Sequence, residues 1–312
     1  MKKIFYLLTF VGLLSFSSCS DMLDTDPTDK VSGTTIFSDA QNSLAAVNGM
    51  YRMMYKSEWG GAWEPENGGL PAYILTFDIM GEDHVMDAAG SGWFWYDYAF
   101  DTWGDYSGTA GHQYQIWNFF YSLIKNANYI IAQEDKIPGD QNLVKYVVGQ
   151  AYAIRSFSYM WLVQCFQQND PTKPGVPIYT QPTVAGAKGN PRGTVQQVYE
   201  QANSDIDKAI TLLESSTQTQ LHKSHIDKYV AYGIKARHAL VQKDYTKALA
   251  FAKKAMESPA AMANFSEIAR LNDATTKNVM WGLVIQTDQA IGGYDIFNHM
   301  DADCRSTYSR AR

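Results

Sequence analysis

The sequence predicts a mainly α-helical body on a tetratricopeptide-like scaffold, interrupted by one long Gly/Trp/Tyr-rich loop region. Three observations carry this. Apolar residues recur at helical spacing through most of the chain. Two short helices near residues 225–258 place bulky and small residues where an antiparallel helix pair needs them. Between them and the start, the segment 57–111 holds ten of the 23 glycines and loses the periodicity.

The elements follow in order. Lys2 and Lys3 precede an uncharged apolar run, Ile4 to Leu14, and the mostly small Ser15 to Ser18. That is the layout of a secretory signal peptide over residues 1–18, and eleven residues are too few to span a bilayer. Cys19 directly after Ser17-Ser18 resembles a bacterial lipobox, with Phe16 where that pattern usually has Leu. Its thiol is therefore the expected lipidation site and mature first residue. Residues 19–36 read as a tether, since Asp21, Asp24, Asp26 and Asp29 leave little to fold around.

The body, 37–312, opens with a Ser38–Gln41 capping box and Leu44, Val47, Tyr51 and Met54 at helical spacing. A second helix carries Trp117, Phe120, Tyr121, Ile124 and Ile131 on one stripe. A third, about Leu143 to Phe166, holds Val147, Ala151, Ile154, Ser158, Trp161 and Cys165. Asp170-Pro171, Pro174-Gly175 and Pro177 then predict loop. Thr194 and Gln197 form another capping box before the apolar face Val195, Val198, Ala202, Ile206, Ala209, Ile210 and Leu213. His225 to Gln242 and Asp244 to Glu257 make the tetratricopeptide-like pair. Tyr232 and Ala236 hold the bulky and small positions of its first helix, Tyr245, Ala248 and Ala255 those of its second. Asn278 to Thr287 reads as a strand.

Charge and cysteine usage narrow the function classes. Removing the first 18 residues takes Lys2 and Lys3, leaving 24 basic against 32 acidic side chains, a net −8. An acidic body lacks the basic footprint of a nucleic-acid binder. Cys165 and Cys304 make no disulfide framework; a lone buried thiol at Cys165 is the preferred reading over a bridge between them. Arg155, mid-helix among apolar neighbours, is expected in a buried ion pair or bonded to carbonyls. Glu82, Asp83, His84 and Asp87 match no defined ligand spacing and read as solvated loop, so neither metal nor cofactor is expected.

Several segments together resemble the SusD/RagB family of surface glycan-binding lipoproteins of Bacteroidota. They are the lipobox with its acidic follow-on, Trp117 to Ile131, and Gly149 to Tyr159 running on to Gly175-Val176-Pro177. Arg192-Gly193-Thr194-Val195 and Ala236-Arg237 with Asp244-Tyr245 complete the likeness. Family members run well beyond a point like Arg312, so a missing C-terminal part is expected. The resemblance implies a non-catalytic lipoprotein, anchored by lipid in the outer membrane and facing the exterior. It would capture oligosaccharide and pass it to a SusC-like TonB-dependent transporter.

The implied ligand suits the aromatic run. A sugar ring packs its C–H face on a flat Trp or Tyr ring and offers hydroxyls to polar neighbours. Trp93, Trp95, Tyr96, Tyr98, Asp101 and Trp103 are the candidate glycan contacts, among eight aromatics in the fourteen residues 93–106. If that run is extended, alternation puts one tryptophan out and its neighbour in. Two rivals remain: a surface glycoside hydrolase using carboxylates such as Glu64, Glu66 and Glu82, and a peptide-binding tetratricopeptide scaffold.

Overall fold

The computed structural model describes residues 33–56, 59, 67–81, 94–100, 111–167, 170–184, 186–264, 266 and 274–289. Cys19, Glu82, Asp83, His84, Asp87, Trp93, Asp101, Trp103 and Cys304 lie outside these, and Tyr96 is described in its backbone only.

The architecture is mainly α. A short turn α1 (Gly33–Ile36) leads into α2 (Ala40–Met53), whose cap differs from the expected one. Asp39, not Ser38, is the N-cap and accepts a bond from the Asn42 amide at 2.7 Å. A carboxylate is the stronger anion for the positive helix end. Ser38 instead donates back to the Thr35 carbonyl. Leu44, Val47, Tyr51 and Met54 are all buried, as the periodicity predicts.

Helix α3 (Leu70–Met80) falls within the region 57–111, for which the sequence predicts loop. Its composition, LPAYILTFDIM, is apolar on nearly every side, so it carries no 3.6-residue stripe to detect. The usable signal was Gly69 before Leu70-Pro71. Gly69 has φ +77°, and a Cβ there would meet the Met54 carbonyl at 2.6 Å, so only glycine fits the helix start. One further turn, α4 (Trp95–Tyr98), lies in the same region.

Helix α5 (Gly111–Ile131) buries Ile116, Phe119, Phe120, Leu123, Ala127 and Ile130. Of the expected stripe, Phe120 and Ile124 are buried, while Trp117, Tyr121 and Ile131 are only half-buried. Both faces satisfy helical spacing; packing chose between them.

Helix α6 (Gln141–Phe166) is the hub, with 18 of its 26 residues buried and α2, α5 and the following elements packed around it. Strands β1 (Pro174–Pro177) and β2 (Arg192–Thr194) pair antiparallel, Pro177 opposite Arg192, and bracket the loop between them. Helix α7 (Val195–Glu214) then lies along α6. Its Thr194–Gln197 capping box is complete, and its seven predicted apolar positions are all buried. The two helices approach so closely at Gly149 that an added Cβ would sit 2.9 Å from Leu213 Cγ.

The tetratricopeptide-like pair is α8 (Lys228–Val241) and α9 (Tyr245–Ala255), turned at Lys243 with φ +61°. The first helix starts at Lys228, not His225, because Asp227 caps it by accepting the Val230 amide. Tyr232, Ala236, Ala248 and Ala255 are buried between the helices and their neighbours. Tyr245 is 66% exposed and does not fill the bulky position assigned to it. As first residue of α9, it points away from the seam.

Asn278 to Thr287 forms no strand. That segment bonds to the loop before α8 instead, with Trp281 Nε1 donating to the Ser224 carbonyl at 2.7 Å and the Gly282 amide to Lys223 O. Among the described residues no strand lies beside it, and its backbone groups bond to loop atoms.

Candidate functional site

Among the described residues, two groupings of aromatic and polar side chains bear on a binding site. The first is the turn α4. Phe94 has φ +57° and is buried against Ala72, Leu75 and Ile79 of α3, which anchors the turn to that helix. Trp95 and Tyr98 are then three residues apart on one helical turn, so they share a side. Their ring centroids are 5.7 Å apart at 46°, and both are half-buried beside the same small cluster. This replaces the alternation expected of an extended run: the backbone is helical at 95–98, and Asp97 is buried. Trp95 and Tyr98 are therefore brought together. Trp93, Asp101, Trp103 and the Tyr96 side chain are outside the described residues.

The second part is a groove of 630 Å³ between α5 and the loop 177–190, which sequence reasoning missed. Trp117, Tyr121 and Lys125 line it from the helix, Tyr179, Lys188 and Asn190 from the loop. Trp117 and Tyr121 stand on the predicted helical stripe, and the spacing 117, 121, 125 was the available clue to a second helix face.

A buried polar network shapes this groove. Arg155 grips Asp205 with two bonds, Nε to Oδ2 at 2.8 Å and Nη2 to Oδ1 at 2.6 Å, and both side chains are buried. Gln201 donates to the same carboxylate. Burial pushes the Asp205 carboxyl up, and the bonds from Arg155 and Gln201 work against that. Arg155 Nη1 also donates to Asn128 Oδ1 at 2.7 Å and to the Thr180 carbonyl at 3.2 Å. Asn128 in turn donates to the carbonyls of Tyr179 and Gln181. Tyr159 accepts the Tyr179 amide at 2.7 Å and bonds its carbonyl at 2.9 Å. Tyr121 donates to Pro177 O, and burial raises its hydroxyl's pKa so that it stays a donor. The loop is thus held by one buried cation and three helix side chains. Arg155 fulfils both roles expected of it, an ion pair and bonds to a carbonyl.

Cys165 is half-buried, and burial pushes its thiol up to about 12, an unreactive state at neutral pH. Among the described residues, no group of three His, Cys, Asp or Glu could hold a metal ion.

Comparison with known proteins adds the following. Residues 23–240 match a SusD-like family model described as "Starch-binding associating with outer membrane". SusD-like protein P2 of Formosa agariphila is 30% identical over 168 residues, 53% of this chain and 30% of that protein. SusD-like protein P38 of the same organism is 26% identical over 222 residues, 67% of this chain and 38% of that protein. A crystal structure of a SusD-like carbohydrate binding protein from Bacteroides vulgatus superposes with a TM-score of 0.72 at 26% identity. That match covers 82% of this chain and 53% of the other. The chain thus spans about a third of the two curated relatives and half of the solved structure.

Proposed function

The chain belongs to the SusD-like family, and we propose on that premise that it captures oligosaccharide at the cell surface without cleaving it. The observation that carries this reading is the pairing of Trp95 and Tyr98 on one side of a helical turn seated on α3. Two rings side by side offer successive flat apolar faces, the surface that sugar C–H faces need, with polar tips for hydroxyls. Trp93, Tyr96, Asp101 and Trp103 would extend that platform. Lipid on Cys19, with its several acyl chains, would hold the protein to the outer membrane facing outward, since one chain alone anchors marginally. A SusC-like TonB-dependent transporter would take the sugar. Stacking contacts are weak enough to permit that release.

Calorimetry against a panel of neutral oligosaccharides tests the binding, and chromatography of the same mixtures tests for cleavage. Trp95→Ala and Tyr98→Ala are each expected to weaken binding about tenfold, ~1.4 kcal/mol. Unchanged affinity in both variants removes the platform from this turn, and degraded glycan makes the protein a hydrolase. Labelling with an alkyne fatty acid should mark the wild type and not Cys19→Ala; an unmarked wild type rules out the anchor.

A further inference from the structure

The groove between α5 and the loop 177–190 is basic, although the chain as a whole is acidic. The chain carries 32 acidic against 26 basic residues, yet none of the described residues lining this groove is Asp or Glu. Two lysines line it, Lys125 on the helix wall and Lys188 on the loop wall, both exposed. Aromatic rings line the same groove. Trp117 and Tyr121 are in contact with centroids 4.8 Å apart, and Tyr179 meets Tyr121 edge-on at 5.9 Å. Asn190, Thr180 and Ser122 add neutral polar groups. The loop wall is pre-organised by the Arg155 network, so little ordering entropy is lost when a ligand enters.

We propose that this groove is a second carbohydrate subsite, which takes a sugar unit bearing a carboxylate or sulfate. The inference rests on the reading of the chain as an oligosaccharide-capture protein, and it names a ligand class for a site apart from the Trp95–Tyr98 turn. The aromatic lining fits the apolar face of a pyranose. The lysines, one from each wall, supply the charge complement that a neutral glycan would not use. A volume of 630 Å³ lies within the range of small-ligand pockets and admits one or two sugar units. The lysine heads are solvated, so their contribution falls with added salt.

The test is calorimetry on the whole protein with three probes: oligogalacturonate, a sulfated galactan oligosaccharide and a neutral maltooligosaccharide. The variants are the doubles Lys125→Ala/Lys188→Ala and Trp95→Ala/Tyr98→Ala. At least one anionic probe should bind, tenfold or more weaker in the lysine double, with the melting temperature unchanged and the loss shrinking at high salt. Whichever anionic probe binds tells carboxylate from sulfate. The Trp95/Tyr98 double should weaken the neutral probe more than the anionic one. Anionic binding that the lysine double leaves intact overturns the subsite alone, as does binding of only the neutral probe. Equal, lysine-dependent binding of an oligoglutamate peptide also overturns it, by making the groove a peptide site. If none of the three sugars binds, the capture reading itself falls.

Discussion

The α6–α7 interface and the α3–α4 turn bury side chains in opposite ways. Along α6 and α7 nearly every inward position is filled, a glycine is needed for the helices to touch, and even a charged pair is taken inside. The turn at α4 rests on four buried residues, Ala72, Leu75, Ile79 and Phe94, with Trp95 and Tyr98 half-covered beside them. The first region over-determines its backbone, while the second has few buried contacts to lose. That contrast teaches where adaptability lies: regions with little burial open locally at low cost, and binding segments are drawn from that end. The groove belongs to the rigid side of the comparison, the aromatic turn to the yielding side.

Four substitutions or conditions would break or sharpen that contrast. The largest effect is expected from Arg155→Ala, which leaves Asp205 buried without its cation and costs about 3–5 kcal/mol in chemical denaturation. Amide exchange across 178–190 should rise with it, while Arg155→Met with Asp205→Leu should recover much of the stability. A loss below about 1 kcal/mol would show that the network does not hold the loop.

Acid comes next. Burial holds His225 down at about 4, with His222 beside it, and burial with Arg237 and Lys235 nearby holds His238 at about 3, against an ordinary 6.5. The unfolded chain therefore binds protons between pH 6.5 and 4 that the folded chain refuses. Stability is full above pH 6.5 and falls as pH drops, by up to about 1.4 kcal/mol per unit for each histidine. Urea midpoints against pH should show this, and His238→Gln should roughly halve the slope between pH 6 and 5. A slope unchanged by that variant would show that His238 titrates normally.

Gly149→Ala should cost about 1–3 kcal/mol and lower the melting temperature, because the new methyl forces α6 and α7 apart at Leu213. A neutral result would mean that the helices give way easily and the interface is less rigid than its packing implies. Smallest of all, Trp95→Ala should change global stability by about 1 kcal/mol or less while weakening sugar binding. A global loss as large as that of Arg155→Ala would erase the distinction between the two regions.

Much of the fold was legible residue by residue. The apolar face of α7 and its capping box were readable because both are local, set by spacing within one helix. Ala236, Ala248 and Ala255 were readable for the same reason, and Tyr245 failed because a position in a repeat says nothing of which side the first residue of a helix faces. Helix α3 was not legible, since uniform apolarity has no period. The site was legible only in its composition. Aromatic density marked 93–106, but the geometry that sets Trp95 beside Tyr98 depends on Phe94 turning left-handed against α3.

By itself, then, the sequence determined a helical body, the Thr194–Gln197 cap of α7, and a buried role for Arg155. Only the tertiary structure decided that Asp205, fifty residues away, is that arginine's partner, and that Asn128 and Tyr159 join it in pinning one loop. It also decided which face of α5 turns inward and which lines a groove with lysines. Caps and periodicity act over a few residues through backbone geometry, whereas pairing across helices depends on packing that no local spacing encodes.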